Sequence, residues 1–178
     1  RDSHSALAFL CDLVIATTNS DFGSLIDPTT QMSSETAAAR GDVDLIVEDV
    51  NEAVNATQRF LEYWYDDSPE FSAAASASTI GQIVPSNRRR AYDMREVIEA
   101  FADKASVYEV GAEWAQSLIT VFARLEGKSI GIFANQPSSP RAGAIDSAAA
   151  DKASRFVEWC DAYGLPLVSF VDNPGYMV

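Results

Sequence analysis

A strand, a helix and a second strand follow one another in residues 129–171, and this order constrains the fold more than any other feature. Residues 129–134 are apolar and suit a buried strand. Asp146 is placed to cap a helix that ends before Gly164 and Pro166, and residues 167–171 suit a second strand. The buried face of the helix is predicted to consist of Ala149, Ala153, Phe156, Val157 and Cys160. This order predicts a right-handed βαβ unit and an α/β fold.

The segment before this unit predicts a β-hairpin and a further helix. Residues 119–125 alternate between two faces, and Glu126 and Gly127 form a turn into the strand at 129–134. Asp93 and Glu96 form a capping-box pattern at the start of a helix. The predicted buried face of that helix is Val97, Ile98 and Phe101.

The first part of the chain predicts shorter elements. Residues 5–11 suit a buried helix that leads into a strand at 12–17, and residues 43–47 alternate like another strand. Between them, residues 18–40 are rich in Ser, Thr, Asp and Pro, which favours a loop with one short helix. An amphipathic helix follows, and its predicted buried face is Val50, Val54, Thr57, Leu61 and Trp64.

An Ala- and Ser-rich run at residues 72–78 is typical of a linker. We therefore divide the chain into a first unit at 1–71, a linker at 72–91 and a second unit at 92–178. With 178 residues, 47% of them hydrophobic, the chain can bury one core or parts of two cores completed elsewhere. Because it begins at Arg1 without Met and stops just after a turn, we interpret both ends as truncations.

Charge and residue usage argue against several function classes. The net charge of −13 opposes binding to nucleic acids and to acidic lipid surfaces. No apolar run is long enough to span a membrane, and no signal segment opens the chain. His4 is the only histidine, and Cys11 and Cys160 are far apart in apolar helical contexts. We therefore expect no metal site, no membrane insertion and structural thiols in a reducing compartment.

The segment from Asn135 to Gly143 joins a buried strand to the start of a helix. Backbone amides converge at such a junction, and the positive end of the helix lies behind them. Amides in this position can stabilise an oxyanion or an enolate, and Gly143 would let a ligand approach the main chain. An ordinary tight turn explains the same residues, so the sequence alone leaves both interpretations open.

A second candidate segment ends the following strand. Its turn places Asn173, Gly175 and Tyr176 at the same edge of the sheet, where they could form the wall of a pocket. A Pro-Gly turn with no ligand is an equal alternative. The basic run at residues 88–90 could meet phosphates or belong to a solvated linker. Trp64, Trp114 and Trp159 are expected to be core or interface anchors.

Several motifs in the second half resemble one known family. These motifs are KSIGIFANQP at 128–137, AGAID at 142–146, DKASRF at 151–156, FVDNPG at 170–175 and YDMREVI at 92–98. They resemble the carboxyltransferase (beta) subunits of biotin-dependent acyl-CoA carboxylases of the propionyl- and acetyl-CoA type. Residues 6–16, 22–23 and 42–47 look like the corresponding first-half segments of crotonase-fold enzymes. The resemblance implies a crotonase-like ββα-superhelix, of which this chain would be a fragment spanning two repeats.

The resemblance also implies a function and a site. It implies transfer of a carboxyl group from carboxybiotin to the α-carbon of an acyl-CoA, through an enolate held by backbone amides. Ala142 and Gly143 would be the catalytic amides, and the residues expected to contact the cofactor are Asn135, Gln136, Asn173 and Gly175. The expected partners are acyl-CoA, a biotin carboxylase or biotin carrier subunit, and further copies of the chain in a hexamer. The expected compartment is the cytoplasm or the mitochondrial matrix.

Two alternatives accompany this interpretation. A biotin-dependent acyl-CoA decarboxylase subunit would share the fold. A non-catalytic scaffold is also considered, because Asp2, Ser3 and His4 stand where the family usually has adjacent glycines in the first half.

Overall fold

The computed structural model describes residues 8, 10–23, 31–65, 77–87 and 90–177. The strands are β1 (Ile15–Thr17), β2 (Asp21–Gly23), β3 (Gln31–Ser33), β4 (Leu45–Val47), β5 (Tyr108–Val110), β6 (Leu118–Leu125), β7 (Lys128–Asn135) and β8 (Leu167–Phe170). The helices are α1 (Ser34–Arg40), α2 (Val50–Tyr65), α3 (Ala77–Ile83), α4 (Met94–Phe101) and α5 (Ser147–Ala162).

A four-stranded sheet in the order β5-β6-β7-β8 forms the centre of the second half. β6 and β7 are antiparallel and β7 and β8 are parallel, which confirms the predicted hairpin and βαβ unit. Glu126 and Gly127 both take positive φ, as a two-residue hairpin turn requires, and the carboxylate of Asp103 accepts hydrogen bonds from both amides at 3.1 and 2.7 Å. Asp146 caps α5 by accepting from the Ala149 amide at 2.8 Å, as expected.

Two apolar clusters lie on opposite faces of this sheet. The first joins α4 to alternate residues of β6 and β7, so the predicted alternation of β6 and the predicted burial of Val97 and Ile98 are confirmed. The second is aromatic and centres on Phe122, which is fully buried. Rings from α2 and α5 surround Phe122: Phe60, Tyr63, Trp64, Phe156 and Trp159. Trp64 and Trp159 are therefore core anchors, as predicted.

The predicted buried face of α2 is wrong except at Trp64. Val50 is 71% exposed, Val54 50% and Leu61 40%, whereas Phe60 and Tyr63 are each 6% exposed. The helix has two adjacent apolar stripes, one aliphatic and one aromatic. They are offset by one residue in sequence, which is about 100° around the helix axis. The aromatic stripe is buried because its larger rings fill the space around Phe122.

Elements of the first half are present in shortened form. The predicted strands at 12–17 and 43–47 become β1 and β4, which pair in parallel. The predicted short helix within 18–40 is α1, but β2 and β3 also form there as an antiparallel pair that was not predicted. Most of the predicted helix at 5–11 and all of Asp2, Ser3 and His4 lie outside the described residues.

Part of the predicted linker is helical. α3 lies within residues 72–91, and its Ile80 and Ile83 pack against the α4 cluster. The proposed division into units at 1–71 and 92–178 stays a prediction. What the structure adds is that α2, before the linker, shares its aromatic cluster with β6 and α5 after it.

A charged contact also joins the two halves. The carboxylate of Asp44 accepts from the Val14 amide at 2.8 Å and from the Arg155 guanidinium at 3.2 Å. The same guanidinium donates to the carbonyls of Asp12 and Gly41 and lies 4.9 Å from the Trp159 ring centroid. Burial raises the pKa of Asp44, while Arg155 acts in the opposite direction. α5 is thereby held against the β1–β4 region.

Lys152 of α5 is buried at 3% exposure. Its ammonium donates to the carbonyls of Gly111, Trp114 and Leu118 at 2.7, 2.9 and 2.7 Å. Burial lowers its pKa to about 8 from the ordinary value of 10.5. The side chain therefore carries a buried charge whose partners are backbone dipoles of a single loop.

The observed face of α2 gives the first prediction. Phe60→Ala should lower the free energy of unfolding by about 3–5 kcal/mol, because it opens a cavity beside Phe122. Val54→Ala, on the exposed stripe, should change it by less than about 1 kcal/mol. Urea unfolding followed by circular dichroism measures both, and a larger loss for Val54→Ala would show that the helix is rotated as the sequence first suggested.

The buried lysine gives a prediction of pH dependence. Between about pH 8 and 10.5 the unfolded chain binds a proton at Lys152 that the folded chain does not. The free energy of unfolding should therefore rise through this window. Below pH 8 the buried charge is present in the folded chain, and its full destabilising effect should be observed. The size of this effect is on the order of 3 kcal/mol. The measurement is the difference between wild type and Lys152→Met at each pH, since this difference removes the opposing titrations of Cys160 and the buried tyrosines. A difference that does not change with pH would contradict the assignment.

Candidate functional site

The site loop, residues 136–146, leaves the end of β7 and leads into the first turn of α5. Ala142 and Gly143 both take left-handed backbone conformations, with φ of +49° and +77°. A Cβ at Gly143 would lie 2.9 Å from the carbonyl oxygen of Asp172 and 3.2 Å from Cβ of Asn135. Glycine is thus required at 143 by both its φ and the close approach of the next strand end.

The two amides expected to be catalytic are hydrogen-bonded inside the loop. The Ala142 amide donates to the Ser139 carbonyl at 2.8 Å, and the Gly143 amide donates to the Ser139 hydroxyl at 3.1 Å. The partner of Gly143 is a side-chain hydroxyl, which rotation about χ1 can move away. The partner of Ala142 is a main-chain carbonyl, which has no such freedom. A catalytic role for these amides stays a prediction.

The side chains of Asn135 and Gln136 face the protein interior. Asn135 is 4% exposed and donates to the Gly143 carbonyl at 2.9 Å. Gln136 is 2% exposed, accepts from the Met94 amide at 3.0 Å and donates to the Asp93 carboxylate. In this arrangement Asn135 stabilises the site loop and Gln136 stabilises the start of α4. Contact of either residue with a cofactor stays a prediction.

The second predicted segment lies against the first. The Ile145 amide donates to the Gly175 carbonyl at 3.1 Å, and the Met177 amide donates to the Ile145 carbonyl at 2.8 Å, so residues 145 and 176 form a short parallel bridge. The structure thus brings Gly175 and the site loop together at one edge of the sheet. Because β7 and β8 are parallel, their carboxyl ends meet there, as the βαβ unit requires.

A groove of about 640 Å³ opens beside these two segments. Its wall includes Ala142 and Asn173 of the predicted site, together with Pro137, Arg90, Tyr92 and Asp172. The Tyr92 hydroxyl donates to the Asp172 carboxylate at 2.8 Å. Burial and this carboxylate raise the pKa of Tyr92 to about 12, so the phenol stays protonated at neutral pH. The groove therefore offers both hydrogen-bond donors and acceptors beside Ala142.

A second cavity of about 300 Å³ lies on another side of the site loop. Its lining includes Ser139, Arg141 and Asp146 of the site loop and residues 114–117. Arg141 and Asp146 form an ion pair at the start of α5. The site loop is consequently accessible from two openings.

Other predicted features have mixed outcomes. Arg88 and Arg89 lie outside the described residues, while Arg90 lines the groove. In the part of the chain that the structure describes, no helix is long and apolar enough to cross a membrane, and no cluster of three metal-ligating side chains occurs. Two features of this region gave no signal in the sequence: the bond between Tyr92 and Asp172 and the buried bonds of Lys152. Tyr92 is 80 residues away from Asp172, and a single lysine in a helix carries no local signal that it is buried.

The close approach at Gly143 gives a prediction with a matched control. Gly164 also has positive φ, at +67°, but nothing lies within 4 Å of an added Cβ there. Gly164→Ala should cost about 1–2 kcal/mol from backbone strain alone. Gly143→Ala adds a collision with Asp172, so its loss of unfolding free energy should be greater by at least about 1 kcal/mol. Urea unfolding of both variants measures the difference, and equal losses would mean that the strand end at Asp172 moves away freely.

Comparison with known proteins agrees with this architecture. The chain is 35% identical over 147 residues to the methylmalonyl-CoA carboxyltransferase 12S subunit of Propionibacterium freudenreichii subsp. shermanii, which covers 79% of the chain and 28% of that protein. It is 33% identical over 165 residues to the propionyl-CoA carboxylase beta chain of Cereibacter sphaeroides, covering 90% of the chain and 31% of that protein. A third relative, the methylmalonyl-CoA decarboxylase subunit alpha of Veillonella parvula, is 46% identical over 99 residues, 56% of the chain and 19% of that protein. The chain thus spans less than a third of the length of each of these relatives.

Solved structures give the same result. A single-chain, multi-domain long-chain acyl-CoA carboxylase superposes with a TM-score of 0.91 at 32% identity, covering 99% of this chain and 19% of that one. The transcarboxylase 12S structure superposes with a TM-score of 0.85 at 29% identity, covering 99% of this chain and 39% of that one. These likenesses confirm the crotonase-like α/β fold expected from the sequence. Residues 17–178 match the carboxyl transferase domain, and the chain therefore belongs to the carboxyl transferase domain family.

Proposed function

We propose that this chain is part of the carboxyltransferase component of an acyl-CoA carboxylase. The observation that carries the proposal is the family match over residues 17–178, which includes both segments of the site. The reaction would move a carboxyl group from carboxybiotin to the α-carbon of an acyl-CoA. Relatives named as biotin-dependent long-chain acyl-CoA carboxylase and propionyl-CoA carboxylase subunits support this substrate class.

The groove beside Ala142 fits a ligand of this kind. Its volume of about 640 Å³ is in the range of small-molecule sites, about 300–1,000 Å³. A ureido ring has N–H donors and a carbonyl acceptor, and the Asp172 carboxylate and Arg90 guanidinium that line the groove can complement both. When bound, carboxybiotin on a partner subunit would supply the carboxyl group and an acceptor for the α-proton.

The main chain of the site loop would stabilise negative charge on the reacting carbonyl. For the Gly143 amide to donate to that oxygen, the Ser139 hydroxyl must turn away from it. Asn135 holds the Gly143 carbonyl, so the peptide stays oriented while the hydroxyl moves. A preoriented amide of this type typically contributes about 10²–10³-fold to kcat. In this mechanism the chain supplies orientation and donors, and His or Cys chemistry is not required of it.

A decarboxylase is the second candidate function. It is favoured by the 46% identity over 99 residues to the methylmalonyl-CoA decarboxylase subunit alpha of Veillonella parvula. Such a subunit would move the carboxyl group in the reverse direction, from an acyl-CoA to biotin, on the same fold. Dependence of the net reaction on a membrane-bound partner would favour this alternative.

Assembly and compartment are part of the proposal. The transcarboxylase 12S structure is described as a hexamer with methylmalonyl-CoA derivatives bound, which supports a homo-hexamer here. A biotin carboxylase or biotin carrier subunit would be the partner protein. We place the complex in the cytoplasm or the mitochondrial matrix, where acyl-CoA substrates are available.

The test uses the full-length protein with free biotin and either malonyl-CoA or methylmalonyl-CoA. We expect biotin-dependent loss of the carboxyl group, measured as acetyl-CoA or propionyl-CoA by chromatography. Gly143→Ala should lower kcat by at least about 10²-fold, because the amide donor is displaced. Gly164→Ala, which lies away from the groove, should retain the wild-type kcat.

Absence of turnover with every acyl-CoA tested would contradict the enzyme assignment. In that case, calorimetry with CoA esters distinguishes a scaffold from an enzyme with another substrate. A scaffold would show no specific heat of binding.

A further inference from the structure

The three carbonyls that accept from the Lys152 ammonium all lie in residues 111–118, the loop between β5 and β6 together with the first residue of β6. The distances of 2.7–2.9 Å show that each N–H has its own acceptor. Among the described residues, no carboxylate lies within 4 Å of this ammonium, since the ion pairs of the structure involve other cations. A buried cation without a paired anion is costly, so its presence calls for a reason beyond packing.

Residues 111–118, which accept hydrogen bonds from Lys152, are themselves hydrogen-bonded to the beginning of the site loop. The Ser117 carbonyl accepts from the Gln136 amide at 2.9 Å, and Leu118 is paired with Asn135 between β6 and β7. Residues 114–117 also line the same cavity of about 300 Å³ as Ser139 and Arg141. Movement of this loop would therefore displace residues 135 and 136, where the site loop starts.

Lys152 itself lies on the helix that begins where the site loop ends. It lies in the second turn of α5, whose first residue directly follows Asp146. A chain of contacts runs from Gln136 to Ser117, through the adjacent Leu118 to Lys152, and back along α5 to Asp146. It links the two ends of the site loop. The ammonium thus fixes the separation of the two ends of the segment that carries Ala142 and Gly143.

We propose that Lys152 is a positioning residue of the carboxyltransferase site, because its three bonds to residues 111–118 hold both ends of the site loop in register. The catalytic effect of this positioning rests on the proposed function, whereas the fixing of the site loop by Lys152 is independent of it. A neutral hydrocarbon of similar size could fill the same space. Only a group with three donors satisfies all three carbonyls at once.

The first experiment measures hydrogen exchange by mass spectrometry on wild type and Lys152→Met. The amides of Ala142, Gly143 and Ala144 are hydrogen-bonded within the loop and report on its order. We expect exchange to become at least about tenfold faster in residues 111–118 and in the site loop, with residues 50–65 unchanged. Lys128→Met, which replaces an exposed lysine on β7, is the matched control and should change neither loop.

Two exchange patterns would overturn the proposal. If exchange becomes faster only in residues 111–118, Lys152 stabilises that segment alone and does not position the site loop. If exchange rises uniformly along the chain, the lysine contributes only to global stability. Neither result depends on carboxyl transfer, so this experiment remains decisive if the proposed function fails.

The second experiment needs no variant and follows wild-type exchange, corrected for its intrinsic pH dependence, from pH 7 to 9.5. A neutral amine has two donors for three carbonyls, so loss of the proton must release at least one of them. Burial is the largest influence on the lysine and lowers its pKa to about 8, and the charged groups acting on it are Glu109, Arg95, Asp44 and Glu113. Arg155 lines the same small cavity. Relative to residues 50–65, which report the rise in global stability, we expect both loops to lose protection together through this pH range. Loops whose protection only follows that of residues 50–65 would overturn the proposal.

Activity provides the readout specific to positioning. Lys152→Met should lower kcat of the biotin-dependent reaction at least about tenfold with little change in KM for the acyl-CoA, because misaligned amides weaken charge stabilisation more than ground-state binding. The decline of the wild-type rate above about pH 8 should be missing in the variant. An equal rise in KM with kcat retained would contradict a positioning role.

Discussion

The parallel pairing of β7 with β8 is the constraint on which the rest of the second half depends. Parallel neighbours require a crossover, and α5 supplies it. The crossover places the carboxyl ends of both strands at one edge, where residues 145 and 176 pair. It also lays α5 across the sheet, where its aromatic face meets Phe122 and its lysine reaches residues 111–118. Fold and site are therefore consequences of the same pairing.

The elements with strong local signals were predictable. The hairpin turn at Glu126 and Gly127, the caps Asp93 and Asp146 and the parallel strands all follow from patterns a few residues long. The orientation of α2 was not, because two apolar stripes compete on that helix and only the partner surface around Phe122 selects between them. The position of the candidate site was predictable from the βαβ unit. The inward direction of Asn135 and Gln136 was not, because their partners, Gly143 and Met94, are fixed by tertiary contacts.

The segments before and after the predicted linker are joined by contacts of two kinds. The aromatic cluster contributes buried area, while Arg155 contributes directional bonds to Asp12, Gly41 and Asp44. Arg155 and Lys152 lie one turn apart on α5, and each binds backbone carbonyls of a different segment. The crossover helix α5 therefore also binds the first half of the chain and residues 111–118, the segment next to the candidate site.

The Ser139 hydroxyl has a consequence for selectivity. Because it already satisfies the Gly143 amide, an incoming acceptor exchanges one hydrogen bond for another and gains little if it is a neutral carbonyl. A charged oxygen forms a bond about twice as strong and gains from the exchange. An amide occupied in this way discriminates by charge. Under the proposed function, it would favour an oxygen that is becoming an anion over the same oxygen in the neutral thioester.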